Sequence, residues 1–282
     1  MSQKMINGKA LRSRDIVAVF VVSILIFIPF ATLVLKMFPL SEAVVSNGGM
    51  IIGYGLMFVV IRHTASTFSI SFSDVTKRPF ARIFFPLAIA YAALLLAFTS
   101  GQNFIVVYLV AQYDPGFAYA HWNFHDVPYV LQITGWGYVA LIVAQFVIAP
   151  FVEEFVFRGL LLKVWSDRWG VSTAVLLNAA LFAALHLNRH YFLSTFVFGI
   201  VMCLLYIRYQ SLWVNVLTHA VFNLMAFCYQ FLFNFHWLKS LNELDRMSNW
   251  VPEIGMLLVS VPALSVLIIK SWPLSGLLKG RK

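Results

Sequence analysis

Residues 129–162 read YVLQITGWGYVALIVAQFVIAPFVEEFVFRGLLL, a largely apolar run whose charged residues are Glu153, Glu154 and Arg158. The hydrocarbon core of a bilayer is about 30 Å thick and takes about 20 apolar residues as a helix. On that measure the run is a membrane helix too long for one straight crossing. Pro150, which has no N–H to give to the helical ladder, is expected to kink it. Working outward, the same ruler marks seven more spans, at residues 16–35, 44–61, 83–110, 171–187, 191–207, 212–235 and 254–269. The fold class that follows is all-α: a polytopic membrane protein with about eight transmembrane helices. Residues 1–282 read as a single membrane domain, because no internal repeat, low-complexity tract or polar linker divides them. Composition agrees, with 61% hydrophobic and 11% charged residues where a soluble domain has about 45–50% and about 25%.

The formal net charge of +9 does not point to nucleic acid, since no cluster of Lys and Arg is interleaved with aromatic residues as a binding surface requires. The excess instead lies in short loops, where it reports topology. With a cytoplasmic N-terminus, fifteen Lys and Arg fall inside and four (Lys36, Arg189, Lys239 and Arg246) fall outside, Arg158 being set aside. Both termini are therefore expected in the cytoplasm, which needs an even number of spans. The first span follows basic residues but is too long and lacks a small-residue cleavage site, so it reads as a retained helix. Cys203 and Cys228 lie inside apolar spans without CxxC spacing and read as packing residues.

A charge at the bilayer centre costs about 2.5–3.5 kcal/mol on insertion scales, so intramembrane charges usually face a polar interior and serve a function. Successive helical residues are about 100° apart and positions four apart share a face. Glu154 and Arg158 are such a pair, acid before base, and form the expected structural ion pair. Glu153 points away from that face and is left to a cavity. In the following span Asn178, Phe182 and His186 recur once per turn, and in the seventh Asn215, His219 and Asn223 do the same. Each stripe alone could be interhelical hydrogen bonding. Together they supply a carboxylate, two imidazoles and an amide from three helices.

A carboxylate and a neighbouring imidazole can hold a water and accept its proton as it attacks a carbonyl. A second imidazole and an amide can stabilise the oxyanion. That is hydrolysis without a covalent intermediate, and neither GxSxG nor HExxH is present to suggest otherwise. Glu153, His186 and His219 could alternatively hold zinc, which in catalytic sites takes three protein ligands and a water. Nothing in the spacing demands a metal, so no cofactor is expected.

The segments EEFVFR, FAALH and HAVFN fit EExxxR, FxxxH and HxxxN in that order, at Glu153, Glu154 and Arg158, at Phe182 and His186, and at His219 and Asn223. In this the chain resembles the CPBP, or ABI/CAAX protease, family of intramembrane endopeptidases, which includes the type II CAAX prenyl endopeptidases. The resemblance covers residues 130–230, the expected catalytic core. It implies an eight-helix core with a water-accessible cavity, in which Glu153 and His186 activate water and His219 and Asn223 form the oxyanion site. Glu154, Arg158 and Phe182 would support them. The expected partners are the lipid bilayer and a membrane-associated protein or peptide substrate, in the plasma membrane of a prokaryote. The competing classes are a proton-coupled transporter, in which buried Glu and His relay protons, and an inactive relative serving as an immunity or scaffold protein.

Overall fold

The structure is a computed structural model that describes residues 13–67, 70–121, 133–186, 191–234 and 243–273. Besides one short 3-10 helix, Met247–Trp250, these residues form ten helices and no strand: α1 (Ser13–Leu35), α2 (Glu42–Thr67), α3 (Phe72–Thr76), α4 (Phe84–Tyr113), α5 (Pro115–His121), α6 (Trp136–Trp169), α7 (Val171–Leu185), α8 (Phe192–Tyr209), α9 (Leu212–Asn234) and α10 (Val251–Ser271). Seven of them, namely α1, α2, α4, α6, α8, α9 and α10, are long and apolar enough to cross a membrane. The expected fifth span is α7, a shorter apolar helix that ends at Leu185 rather than reaching residue 187. The start of the expected fourth span, residues 129–132, and the end of the seventh, at residue 235, lie outside the described residues. Large apolar side chains stand on the outer surface of the bundle, Leu25 and Leu33 on α1 and Leu258 and Ile269 on α10 among them. In a bilayer, lipid covers them.

Lipid tails are as apolar as leucine, so such helices associate through close packing and internal hydrogen bonds rather than through the hydrophobic effect. Small residues provide the close approach. A Cβ on Gly199 of α8 would lie 2.7 Å from the Ala179 Cα of α7, and one on Gly53 of α2 would lie 2.8 Å from the Ile28 Cα of α1. The short helix α3 starts at a capping box, in which Ser71 Oγ accepts from Asp74 N and Asp74 Oδ2 accepts from Ser71 N. Its Val75 leaves room only for the hydrogen of Gly159 on α6, and the Val75 carbonyl accepts from Tyr206 Oη of α8 at 2.8 Å.

The helix ends are tied in two sets. At one end Lys77 Nζ donates to Gln210 Oε1 at 2.6 Å, Ser211 Oγ donates to the Arg78 carbonyl at 2.9 Å, and Ser172 Oγ donates to the Pro273 carbonyl at 3.2 Å. At the other end Gln112 Nε2 donates to the Asp245 carbonyl at 2.9 Å.

Helix α6 is continuous through Pro150 but is not uniformly α-helical. Ala144–Ile148 and Phe155–Leu161 are π-helical, and Ala149–Glu154 between them is an α-helical segment that ends in the carboxylate doublet. The long span accommodates its proline by widening before it. Asn215, Asn178 and the doublet all lie on the inward faces of α9, α7 and α6, where they are buried.

Candidate active site

Glu154 and Arg158 are completely buried, and Arg158 Nη1 donates to Glu154 Oε1 at 2.9 Å, the ion pair read from their spacing. Arg158 Nη2 donates to the Gly199 carbonyl at 3.3 Å, and the guanidinium lies 4.6 Å from the centre of the Phe182 ring. Glu154 does more than neutralise Arg158. Its Oε1 also accepts from His219 Nδ1 at 2.9 Å, and Asn215 Nδ2 approaches its Oε2 at 3.4 Å while donating to the Met202 carbonyl at 2.6 Å. With Glu154 ionised opposite Arg158, Nδ1 of His219 is the donor. The ring is therefore fixed with Nε2 turned towards Glu153, whose Oε2 is 3.9 Å away.

Glu153 is 8% exposed. Its Oε1 accepts from the Tyr54 hydroxyl of α2 at 2.7 Å, a partner the sequence did not disclose because the two residues are 99 positions apart. The rings of Phe182 and Phe198 stand 6.1 and 5.0 Å from the His219 ring and wall it in on an apolar side.

The two π-helical segments of α6 explain two of the asparagines. In the first, the Ala149 N–H reaches back five residues to the Ala144 carbonyl. The next such bond would run from residue 150 to the Gln145 carbonyl, but Pro150 has no N–H to give. Asn223 Nδ2 from α9 fills the gap, donating to Gln145 O at 2.8 Å. In the second segment the Leu162 N–H reaches the Phe157 carbonyl, which also accepts from Asn178 Nδ2 of α7 at 2.7 Å. One of the two Asn223 amide hydrogens is thus engaged.

His186 caps the end of α7, is exposed, and bonds through Nδ1 to the Phe182 carbonyl at 2.8 Å, its ring 4.4 Å from that of Phe182. Among the described residues the imidazole facing Glu153 is that of His219, and the ring of Phe182 lies against both imidazoles. The set Glu153, His186 and His219 is not assembled as metal ligands, and no group of three His, Cys, Asp or Glu among the described residues is.

Glu153 Oε2 and His219 Nε2 therefore face each other at 3.9 Å, beyond hydrogen-bonding distance, a gap that suits a water molecule.

Residues 135–225, which run from the start of α6 into α9 and include every residue of the three motifs, match the family described as type II CAAX prenyl endopeptidase Rce1-like. Comparisons with curated proteins and with solved structures find no match. The match supports the CPBP/CAAX protease family, whose members are membrane proteases.

Proposed function

From a chain that carries an Rce1-like domain in an all-α membrane bundle, we propose an intramembrane endopeptidase that hydrolyses a peptide bond of a membrane-associated protein or peptide. The observation that carries this reading is the approach of Glu153 Oε2 to His219 Nε2 at 3.9 Å, with His219 oriented from behind by Glu154. Glu153 accepts a proton from the water as its oxygen bonds to the substrate carbonyl carbon. The carbonyl becomes an oxyanion, held by an amide hydrogen of Asn223 and by His219, whose Nε2 donates when both ring nitrogens carry hydrogen. As the oxyanion collapses the C–N bond breaks, and the proton on Glu153 passes to the departing amine. His186, exposed and with Nε2 free of the bond to Phe182, is the second imidazole at the substrate side and shares in water activation. No step requires a metal.

The cytoplasm is the proposed side for both termini and for the basic loops, and a prokaryotic plasma membrane the proposed location. The experiment reconstitutes the purified full-length protein in liposomes with a library of membrane-anchored, quenched-fluorescent peptides, prenylated CAAX peptides included. Cleavage products are read by mass spectrometry before and after a strong chelator. Internal cleavage that survives chelation is expected. Proton flux without cleavage would point to a transporter, and cleavage stopped by chelation and restored by zinc alone would make the site a metal centre.

A further inference from the structure

The residues that orient Glu153 do not all come from the segment that matches the family. Tyr54 belongs to α2, far outside residues 135–225, yet its hydroxyl makes the short bond to Glu153 Oε1, at 2.7 Å, and the side chain is itself buried. The last torsion of a glutamate is broad and nearly two-fold, so a carboxylate held at neither oxygen offers either one to its neighbours. Anchoring Oε1 removes that freedom and leaves Oε2 as the oxygen that faces His219 Nε2. The anchor is rigidly carried. In the turn and a half of α2 before Tyr54, Gly49 packs against Thr32 and Gly53 against Ile28 with no space for a Cβ, which clamps α2 to α1. One turn away, Gln145 Nε2 of α6 donates to Met50 Sδ of α2 at 3.5 Å, which ties α2 to α6 beside the site.

We propose that Tyr54 is a positioning residue for the hydrolysis: it fixes one oxygen of Glu153 to α2 so that the other, together with His219, receives the attacking water. This rests on the reading of Glu153 as the base. The proposal also gives α2 a part in the reaction, although α2 lies outside the matched segment. Because Tyr54 acts through Glu153 and touches no reacting atom, its hydroxyl should matter for turnover and not for substrate affinity.

The test compares full-length wild type, Tyr54→Phe and Glu153→Gln in liposomes, on whichever membrane-anchored quenched peptide the wild type cleaves fastest. Steady-state kcat and KM are measured with the thermal unfolding midpoint of each variant. Phenylalanine keeps the ring and its packing, so the midpoint should stay near that of wild type. For Tyr54→Phe, kcat should fall roughly ten- to a hundredfold, the scale of one hydrogen bond to a charged group, with KM within about twofold. Glu153→Gln should lose about 10²–10⁴-fold in rate. A wild-type kcat for Tyr54→Phe beside a slowed Glu153→Gln would overturn the positioning role and leave Glu153 as the base. Turnover by Glu153→Gln at the wild-type rate would overturn both. A fall in kcat accompanied by a raised KM and a lowered unfolding midpoint would mark Tyr54 as a packing residue, and would equally overturn the proposal.

Discussion

Two adjacent glutamates on one helix have opposite surroundings. Glu154 is completely buried and one of its oxygens serves both Arg158 and His219, whereas Glu153 keeps slight exposure and one oxygen that faces an imidazole across a gap. The division was legible from a helical wheel for Glu154, since its partner is four residues on. For Glu153 it was not: its hydrogen-bond donor is on another helix, and a lone tyrosine in α2 has no neighbour on its own helix that marks it. Glu154→Gln should therefore be a folding variant as much as an activity variant. Arg158 is wholly buried, with no partner for its Nε among the described residues, and losing its carboxylate would leave the guanidinium charge uncompensated. Breaking a buried pair in this way costs about 3–5 kcal/mol. A lowered unfolding midpoint in detergent together with lost cleavage is the expected result, and a midpoint equal to wild type would contradict it.

At the scale of elements, the length of α6 and the presence of Pro150 were enough to predict a disturbance, but not its form. Two π-helical segments flank the doublet, and each has a carbonyl capped by an asparagine from another helix, Gln145 by Asn223 and Phe157 by Asn178. Hydropathy is blind to such a change of register, because π and α turns use the same residues. The stripes on α7 and α9 identified the capping residues without identifying what they cap. His186 shows the converse difficulty: its four-residue spacing from Phe182 placed it on the stripe, yet α7 ends one residue before it and its ring turns back to Phe182. Pro150→Ala follows from this register. The new N–H can reach the Gln145 carbonyl and compete with Asn223. Because a proline inside a helix costs about 3 kcal/mol, its replacement should not lower the unfolding midpoint, whereas kcat should fall as Asn223 is released. Unchanged kcat in the variant would show that the cap does not matter to the reaction.

Over the whole molecule, the membrane bundle was the most legible feature, since seven long apolar helices and the shorter α7 occupy the positions that hydropathy marked. Helix ends are tied in pairs, Lys77 to Gln210 at one end of α4 and Gln112 to Asp245 at the other. Which end meets the cytoplasm is a matter for labelling. Tyr113, 91% exposed beside Asp114, replaced by cysteine should react with a membrane-impermeant thiol reagent added to intact cells, and cysteine in place of Lys77 should react only after permeabilisation. The reverse pattern would invert the proposed orientation. The central claim, that a bundle of this kind hydrolyses peptides with a buried carboxylate as its base, is tested most directly by the initial rate of peptide cleavage by Glu153→Gln in proteoliposomes, against wild type at equal folded protein. Glutamine keeps the shape and can still accept from Tyr54, but it cannot take a proton from water. The account predicts a rate lower by about 10²–10⁴-fold, the range for loss of a general base, and a rate equal to wild type would contradict it.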